Sequence, residues 1–372
     1  MISLIVNKGY GDVGNRNAEG DARSSNKKEL AMQKSIKSLL WGLGLPVMLL
    51  AADAGITAEI KERTIKLGYG IAEEHPLGQG VNWFAKLVGE KSGGKIKVKG
   101  YPGNTLGSEE KMISATTGGV QEMVIPSSAP VVSVVKEFRL FDLPFLFANE
   151  KEADAVLDGP VGKELLGKLP EKSLVGLCFW ENGFRHVTNS KHPITSAEDL
   201  EGLKIRTMQS PVYIDTFNTL GANATPLSFS ELYTALEMKA VDAQENPYAI
   251  IHAAKFDEVQ KYLSATRHAY APFVVLISKK LWDGLSADER KILEDSCVEA
   301  RDYQRKVSRE NNAKIIQALK DNGMELNEVD PQELAKIKEK LQPVIAKHVQ
   351  NIGEDLVQRT MAEIEKVRGQ KD

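Results

Sequence analysis

The sequence predicts an α/β fold built on a mainly parallel sheet and spanned by one long helix. Strand and helix patterns alternate with short links over residues 63–126, which is typical of βαβ units. A similar unit recurs over residues 202–246, and a helical pattern of roughly 50 Å, at about 1.5 Å per residue, follows Ser286. A chain of 372 residues is long enough for two domains.

The N-terminal region differs from the rest of the chain. Residues 1–31 are polar without periodicity, and we interpret them as disordered or as an upstream extension from an over-long gene prediction. Residues 32–58 combine two lysines, an apolar run over 39–52 and a small-x-small site, which predicts a signal peptide. The alternative is an uncleaved anchor, although the apolar run is short for a membrane span. We therefore expect an exported, soluble protein that begins near Glu59.

The alternation of apolar and polar residues predicts the strands of the first βαβ series, and apolar side chains at helical spacing predict its helices. Residues 63–70 form a strand pattern that ends in glycine, and residues 78–94 place apolar side chains on one helical face. A strictly alternating strand follows at 95–102, then a short helix at 108–119 with acids in its first turn. The series closes with a strand at 120–126.

The second series repeats this order. The segments are strands at 202–208 and 240–246, helices at 211–221, 228–239 and 247–263, and an extended link at 222–228. Ser228 and Glu231 predict a capping box, and Asn246 before Pro247 predicts a helix cap.

The long helix and the tail complete the fold. Ser286 and Glu289 predict a capping box, and Asn322-Gly323 predicts the end of the helix. Because this length exceeds one small domain, we expect the helix to brace two. The tail begins at Asp330-Pro331 and carries an apolar stripe that should pack on the body.

Composition excludes several functions. The formal net charge of −3, without a basic and aromatic run, does not suggest nucleic-acid or membrane-surface binding. Cys178 and Cys297 are expected to be buried free thiols, with pairing as the alternative, and no metal spacing is present. Motifs of serine hydrolases, zinc proteases and P-loops are absent, and "GYGIAE" lacks the third glycine of a dinucleotide loop. We expect no cofactor.

Polar groups at strand ends are the remaining candidates for a site. Arg185, Arg206 and Asn246 each lie at the end of a predicted element, where α/β proteins bind ligands. A guanidinium group matches a carboxylate in shape and charge. The alternative is that both arginines pair with interior acids such as Glu181 or Glu245, and the residues alone favour neither.

Several stretches together resemble the DctP-type solute-binding proteins of tripartite ATP-independent periplasmic (TRAP) transporters. They include "YPGNTLGSEEKMISATTGG", "WENGFRHVTNSKHPI", "DLEGLKIRTMQSPVY" and "LSFSELYTALEMKAVDAQENP". The resemblance extends from about Ile65 to the mid-320s. It implies the periplasmic-binding-protein fold, with two lobes around the ligand, a hinge and a long lobe-spanning helix. The implied boundaries are 59–183 with 272–311 for lobe I, and 184–271 with 312–372 for lobe II.

The resemblance also implies function and site residues. It implies a periplasmic, non-catalytic protein, expected to be a monomer, that binds an organic acid and delivers it to a membrane permease. The arginine of the "KIR" strand, Arg206, would pair with the ligand carboxylate. The other implied ligand contacts are Arg185, Asn246, Gln209, Phe229, Ser127, Ser128, Glu74, His75 and Tyr69.

Two questions stay open at this point. The same fold could serve an extracytoplasmic ligand sensor or, less readily, a periplasmic enzyme. Two arginines could clamp a C4-dicarboxylate at both ends, or one could bind the carboxylate of a sugar acid such as a hexuronate.

Overall fold

The computed structural model describes residues 59–369, and the predicted signal peptide and upstream extension lie outside this range. The described part is a mixed α/β structure with nine strands in one sheet. The strands are β1 (Arg63–Tyr69), β2 (Ile96–Tyr101), β3 (Met123–Ile125), β4 (Leu174–Asn189), β5 (Lys204–Thr207), β6 (Asn223–Pro226), β7 (Ala243–Asn246), β8 (Tyr262–Ser278) and β9 (Glu325–Glu328).

The sheet consists of two parallel groups joined by a long antiparallel pair. The strand order is β2-β1-β3-β8-β4-β7-β5-β6, and β9 pairs with β8. Strands β2, β1 and β3 are mutually parallel, as are β7, β5 and β6. The central pair, β4 and β8, is antiparallel and joins one group to the other.

The β4–β8 pair is long and irregular. The two strands pair from Leu174 opposite Ser278 to Asn189 opposite Tyr262, with three shifts of register. The predicted strand end before Arg185 was therefore wrong, because β4 continues through that residue. The predicted helix over 247–263 was also wrong: its C-terminal half is replaced by a turn at Lys255, whose φ is 56°, and by the start of β8.

Helices cover the sheet, and the long helix is confirmed. It spans 35 residues and has the predicted Ser286–Glu289 capping box. The tail helix begins after the cap Asp330, as predicted. The helices are α1 (Pro76–Lys91), α2 (Glu109–Thr117), α3 (Ser128–Val131), α4 (Glu150–Asp158), α5 (Pro160–Gly167), α6 (Pro211–Thr219), α7 (Phe229–Glu237), α8 (Tyr248–Ala253), α9 (Lys279–Asp283), α10 (Ala287–Asp321), α11 (Pro331–Lys340), α12 (Gln342–Ile352) and α13 (Glu354–Gly369).

The core is continuous from the sheet to α10. Trp180 of β4 is fully buried and packs edge-on against Phe84 of α1. Its indole nitrogen donates to the carbonyl oxygen of Cys297 in α10 at 3.2 Å. Buried indole groups need such an acceptor, so this contact fixes how α10 lies on β4. Within residues 59–369, no helix combines the length and apolar character that a membrane span requires.

The two cysteines correct a third expectation. Cys178 of β4 and Cys297 of α10 form a disulfide, with 6.2 Å between their Cα atoms and 119 residues between them in sequence. We expected free thiols because each lies in an apolar pattern, and apolar surroundings suit a thiol and a disulfide equally. The register of α10 on β4, which brings the two sulfurs together, is a tertiary property.

We predict that the disulfide stabilises the protein by about 2–4 kcal/mol, because it closes a long loop in the unfolded chain. Urea unfolding of the oxidised protein should give a free energy higher by that amount than the Cys178→Ala/Cys297→Ala double variant. A reductant should lower the melting temperature of the parent only. Equal stability of the two proteins would contradict the prediction.

Candidate ligand-binding site

A cavity lies where the carboxyl ends of the two parallel groups face each other. Residues that follow β1 and β3 contribute from one group, and residues of β5 and β7 from the other. This is the edge at which open α/β sheets bind ligands. The lining residues are Ile71, Glu109, Glu110, Ser127, Pro130, Asn182, Arg206, Met208, Gln209, Phe229, Asn246 and Ile250.

Arg206 is the central cation of this cavity. Its side chain leaves β5, and only 2% of the residue is exposed. The Nε atom donates to the carbonyl oxygen of Leu227 at 2.8 Å, whereas Nη1 has no partner within residues 59–369. Arg206 forms no ion pair in this described part. Burial lowers the pKa of Arg206 to about 10, so the group stays positively charged at neutral pH.

Arg185, by contrast, is paired. It is fully buried and forms a two-pronged ion pair with Glu245, with 2.8 Å from Nη2 to Oε1. Burial alone would raise the pKa of Glu245, but Arg185, together with His268, lowers it to about 2. Burial would also lower the pKa of Arg185, and Glu245 outweighs that effect. Of the two alternatives from sequence, pairing with an interior acid therefore holds for Arg185 and not for Arg206.

Asn246 connects this ion pair to the cavity. It is the last residue of β7, and Pro247 takes the cap position of α8, so the predicted cap role was wrong. The side-chain oxygen of Asn246 accepts from Arg185 Nη2 at 3.1 Å, and its amide donates to Gln244 at 2.6 Å. Arg185 thus fixes the orientation of a cavity-lining amide.

Asn182 enters the cavity through a bulge in β4. The pairing register with β8 shifts between Glu181 and Gly183, and Gly183 adopts a φ of 117°, which a residue with a side chain rarely takes. Bulges re-aim side chains in this way. The Asn182 amide donates to Ser127 Oγ at 3.3 Å, and its buried oxygen has no partner in the described residues.

Two neighbouring glutamates complete the polar lining. Glu109, the first residue of α2, is buried, and its Oε1 accepts from the backbone N–H of Ser127 at 3.0 Å. Burial raises the pKa of Glu109 to about 7, although that hydrogen bond opposes the shift. Glu110 is half-buried and accepts a hydrogen bond from Ser228 Oγ at 3.2 Å.

The Ser228–Glu110 hydrogen bond joins the start of α7 to the start of α2. Ser228 also accepts from Gln209 Nε2 at 3.4 Å. The predicted Ser228–Glu231 capping box was therefore wrong, because the serine hydroxyl makes these contacts and does not cap the helix. The contact bridges the two sides of the cavity.

An apolar wall faces these polar groups. Phe229 is half-buried and packs against Phe256 with 5.9 Å between ring centroids. Ile71, Met208 and Ile250 lie on the same cavity surface. The lining therefore combines one charged donor group, several acceptors and a hydrophobic side, as small-molecule sites commonly do.

The structure does not bring all predicted site residues together. Arg206, Gln209, Phe229, Asn246 and Ser127 line this cavity. Arg185 lies directly behind Asn246. Glu74 and His75 line a separate groove against α8 and α10. Tyr69 and Ser128 are buried outside the lining, and ligand contacts from these last four residues stay predictions.

Sequence reasoning missed Glu109, Glu110 and Asn182 as site residues. The glutamates were interpreted as helix-dipole acids, although acids right after the loop that follows β2 also face the carboxyl edge of the sheet. Asn182 was visible as a polar residue next to a glycine inside an apolar strand, which is a sign of a bulge.

Known proteins resemble this chain over most of its length. A family model described as "Bacterial extracellular solute-binding protein, family 7" matches residues 67–351. A 2,3-diketo-L-gulonate-binding periplasmic protein of Escherichia coli is 41% identical over 73% of this chain and 82% of the relative. A C4-dicarboxylate-binding periplasmic protein of Rhodobacter capsulatus is 36% identical over 79% and 88%.

A solved structure supports the same grouping. The sugar acid binding protein of Advenella mimigardefordensis, in complex with galactonate, is 45% identical and superimposes with a TM-score of 0.81. The match covers 82% of this chain and 99% of that chain. The structural match shows that the sheet and helices described above form the fold of that protein group.

We predict that Glu109→Gln makes the unfolding free energy less sensitive to pH. With a folded pKa of about 7 against a usual value of 4.5, the native glutamate holds a proton that the unfolded chain releases between these pH values. Stability from this group is therefore full below pH 4.5 and is lost as pH rises to 7, by on the order of 2–3 kcal/mol. Gln cannot titrate.

Urea unfolding at pH 5 and pH 8 measures this effect. The variant should gain stability relative to the parent at pH 8, and Glu62→Gln, an exposed position, serves as the control. A parent and variant whose difference is the same at both pH values would refute the assignment.

Proposed function

This chain belongs to family 7 of the bacterial extracellular solute-binding proteins, and from that premise we propose that it captures a small organic acid anion as the substrate-binding component of a TRAP transporter. The family is a transporter solute-binding family. We further propose that the chain acts in the periplasm after signal-peptide cleavage, as a monomer, and delivers its ligand to membrane permease subunits.

The observation that carries this proposal is the buried guanidinium group of Arg206, which forms no direct ion pair in the described residues. A buried guanidinium nitrogen without a partner is unfavourable, and a ligand carboxylate in the cavity would pair with it directly. Its planar fork of N–H donors fits a carboxylate with two parallel hydrogen bonds. The low-polarity surroundings strengthen the pairing relative to water.

The neighbouring groups would orient the ligand. Asn246, held by Arg185, would place the amide hydrogen that Gln244 does not use next to the carboxylate, and we propose the unpartnered Nη1 of Arg185 as a further donor. Phe229 would cover an apolar face of the ligand. Relatives bind sugar acids and C4-dicarboxylates, and the site as a whole suits a small carboxylate of either class.

Binding would be coupled to closure of two lobes. We propose the boundaries 59–183 with 272–311 and 184–271 with 312–372, which separate the two parallel groups of the sheet. Ligand contacts from both groups favour the closed arrangement over an open one. The Ser228–Glu110 hydrogen bond, which joins the two sides of the cavity, would form on closure.

We propose binding without turnover. The cavity lining contains no histidine or cysteine among the described residues. Ser127 Oγ accepts a hydrogen bond from Asn182, and Glu109 contacts the Ser127 backbone and not its hydroxyl. The serine therefore lacks the adjacent base that would activate it as a nucleophile.

A thermal-shift screen against organic acids tests the function. A ligand at 100 times its Kd stabilises the native state by about 2.7 kcal/mol, so a true ligand should raise the melting temperature of the purified protein by several degrees. The protein is first denatured and refolded to remove any carried-over ligand. No rise with any carboxylate would refute the proposal.

Substitutions of Arg206 test the carboxylate partner. Arg206→Ala should weaken binding about 100-fold or more, because truncating one member of a buried charge pair costs about 2–5 kcal/mol. Arg206→Lys should restore little, since an ammonium group cannot make the two parallel hydrogen bonds. Lys97→Ala, at an exposed position of β2, is the control for loss of a positive charge. Unchanged affinity in either Arg206 variant, measured by calorimetry, would remove this residue from the site.

A further inference from the structure

We propose that Glu109 and Glu110 restrict the ligand to a monocarboxylate that carries several hydroxyl groups, such as an aldonate or a uronate, and exclude C4-dicarboxylates. This inference rests on the organic-acid binding proposed above and names the substrate class of the same cavity. Its basis is the number of free charges at the cavity and the arrangement of hydrogen-bond donors and acceptors around it.

The first step is the number of positive charges. A dicarboxylate clamped at both ends requires two cations that are free to pair. Arg185 is neutralised by Glu245 in a fully buried ion pair. Among the lining residues of the described cavity, Arg206 is the one basic side chain. The lining therefore offers one basic side chain, which can pair with one carboxylate.

The second step is the position of the glutamates. Both line the cavity together with Arg206, and both are close enough to interact electrostatically with its guanidinium group. A C4-dicarboxylate that pairs with Arg206 through one end would place its second carboxylate near these glutamates. Like charges repel more in a partly buried site than in water. Above pH 7, where burial no longer keeps Glu109 protonated, the glutamates therefore disfavour a dianion.

The third step is the hydrogen-bonding character of the free atoms. Glu109 Oε1 is used by Ser127, and Glu110 Oε2 by Ser228, so each glutamate keeps a second oxygen without a partner in the described residues. The buried oxygen of Asn182 is also unpartnered. These three atoms accept hydrogen bonds. Hydroxyl groups donate to such acceptors, whereas a second carboxylate only accepts.

The lining groups thus fall into two parts by their hydrogen-bonding character. Arg206 and Asn246 offer donors to one carboxylate, and Glu109, Glu110 and Asn182 offer acceptors to the rest of the ligand. An unmade hydrogen bond to a buried acceptor is costly, so a ligand without hydroxyl groups loses affinity even if it fits. A chain of hydroxylated carbons that ends in one carboxylate satisfies both parts.

Calorimetry with two ligand panels tests the inference. The probes are D-galactonate, D-gluconate, D-galacturonate and D-glucuronate on one side, and succinate and L-malate on the other, all at pH 8. The parent protein should bind at least one sugar acid about 100-fold more tightly than either dicarboxylate. Glu110→Gln and Glu109→Gln should each reduce this ratio at least tenfold, by weaker binding of the sugar acid and stronger binding of the dicarboxylate.

The controls separate this inference from the proposed function. Glu62→Gln removes an exposed carboxylate and should leave the ratio unchanged, and thermal unfolding confirms that each variant is folded. A parent protein that prefers succinate or malate would overturn the inference and leave organic-acid binding intact, as would Gln variants with an unchanged ratio. Failure of every acid to bind would overturn the proposed function itself.

Discussion

The buried guanidinium of Arg206, which has no direct ion-pair partner in the described residues, is the constraint on which the site depends. Such a charge is tolerated only where the surrounding structure holds it firmly and a partner can reach it. The carbonyl oxygen of Leu227 accepts a hydrogen bond from Arg206 Nε. The backbone of Arg206 lies in β5, which pairs with β6 on one side and β7 on the other. The neighbouring Arg185–Glu245 pair is already balanced, so it adds polarity and order to the cavity without a second free charge.

The central strand pair relates this constraint to the fold. β4 and β8 form a frame that joins the two parallel groups of the sheet. One group pairs with this frame through β3 and β8, and the other pairs with it through β7 and β4. The Cys178–Cys297 disulfide and the Trp180 hydrogen bond tie that frame to α10. The bulge at Glu181–Gly183 interrupts regular pairing at the point where Asn182 has to reach the cavity. The same strand, β4, therefore carries both the contacts that hold α10 and the bulge that directs Asn182 into the cavity.

Local rules predicted the regular elements and the position of Arg206, but not the contacts that complete the site. The long helix followed from its capping box and its stop signal, and Arg206 followed from its place at a strand end. Ser228 and Asn246 had good capping chemistry, yet tertiary partners, Glu110 and Arg185, took their side chains instead. The disulfide and the β8 strand depended on α10 and β4, which are remote in sequence, so no local pattern could specify them.

In this arrangement, Glu110 would contribute both to the choice of ligand and to the closure of the two lobes. Glu110 accepts a hydrogen bond from Ser228 across the cavity and keeps another oxygen for a ligand hydroxyl. A ligand that placed a negative charge there would repel the carboxylate and weaken the contact that joins the two sides. A ligand that donates a hydrogen bond would leave that contact in place. The chemistry of the ligand would then determine the stability of the closed state, and an anion that pairs well with Arg206 but repels Glu110 would bind without favouring closure.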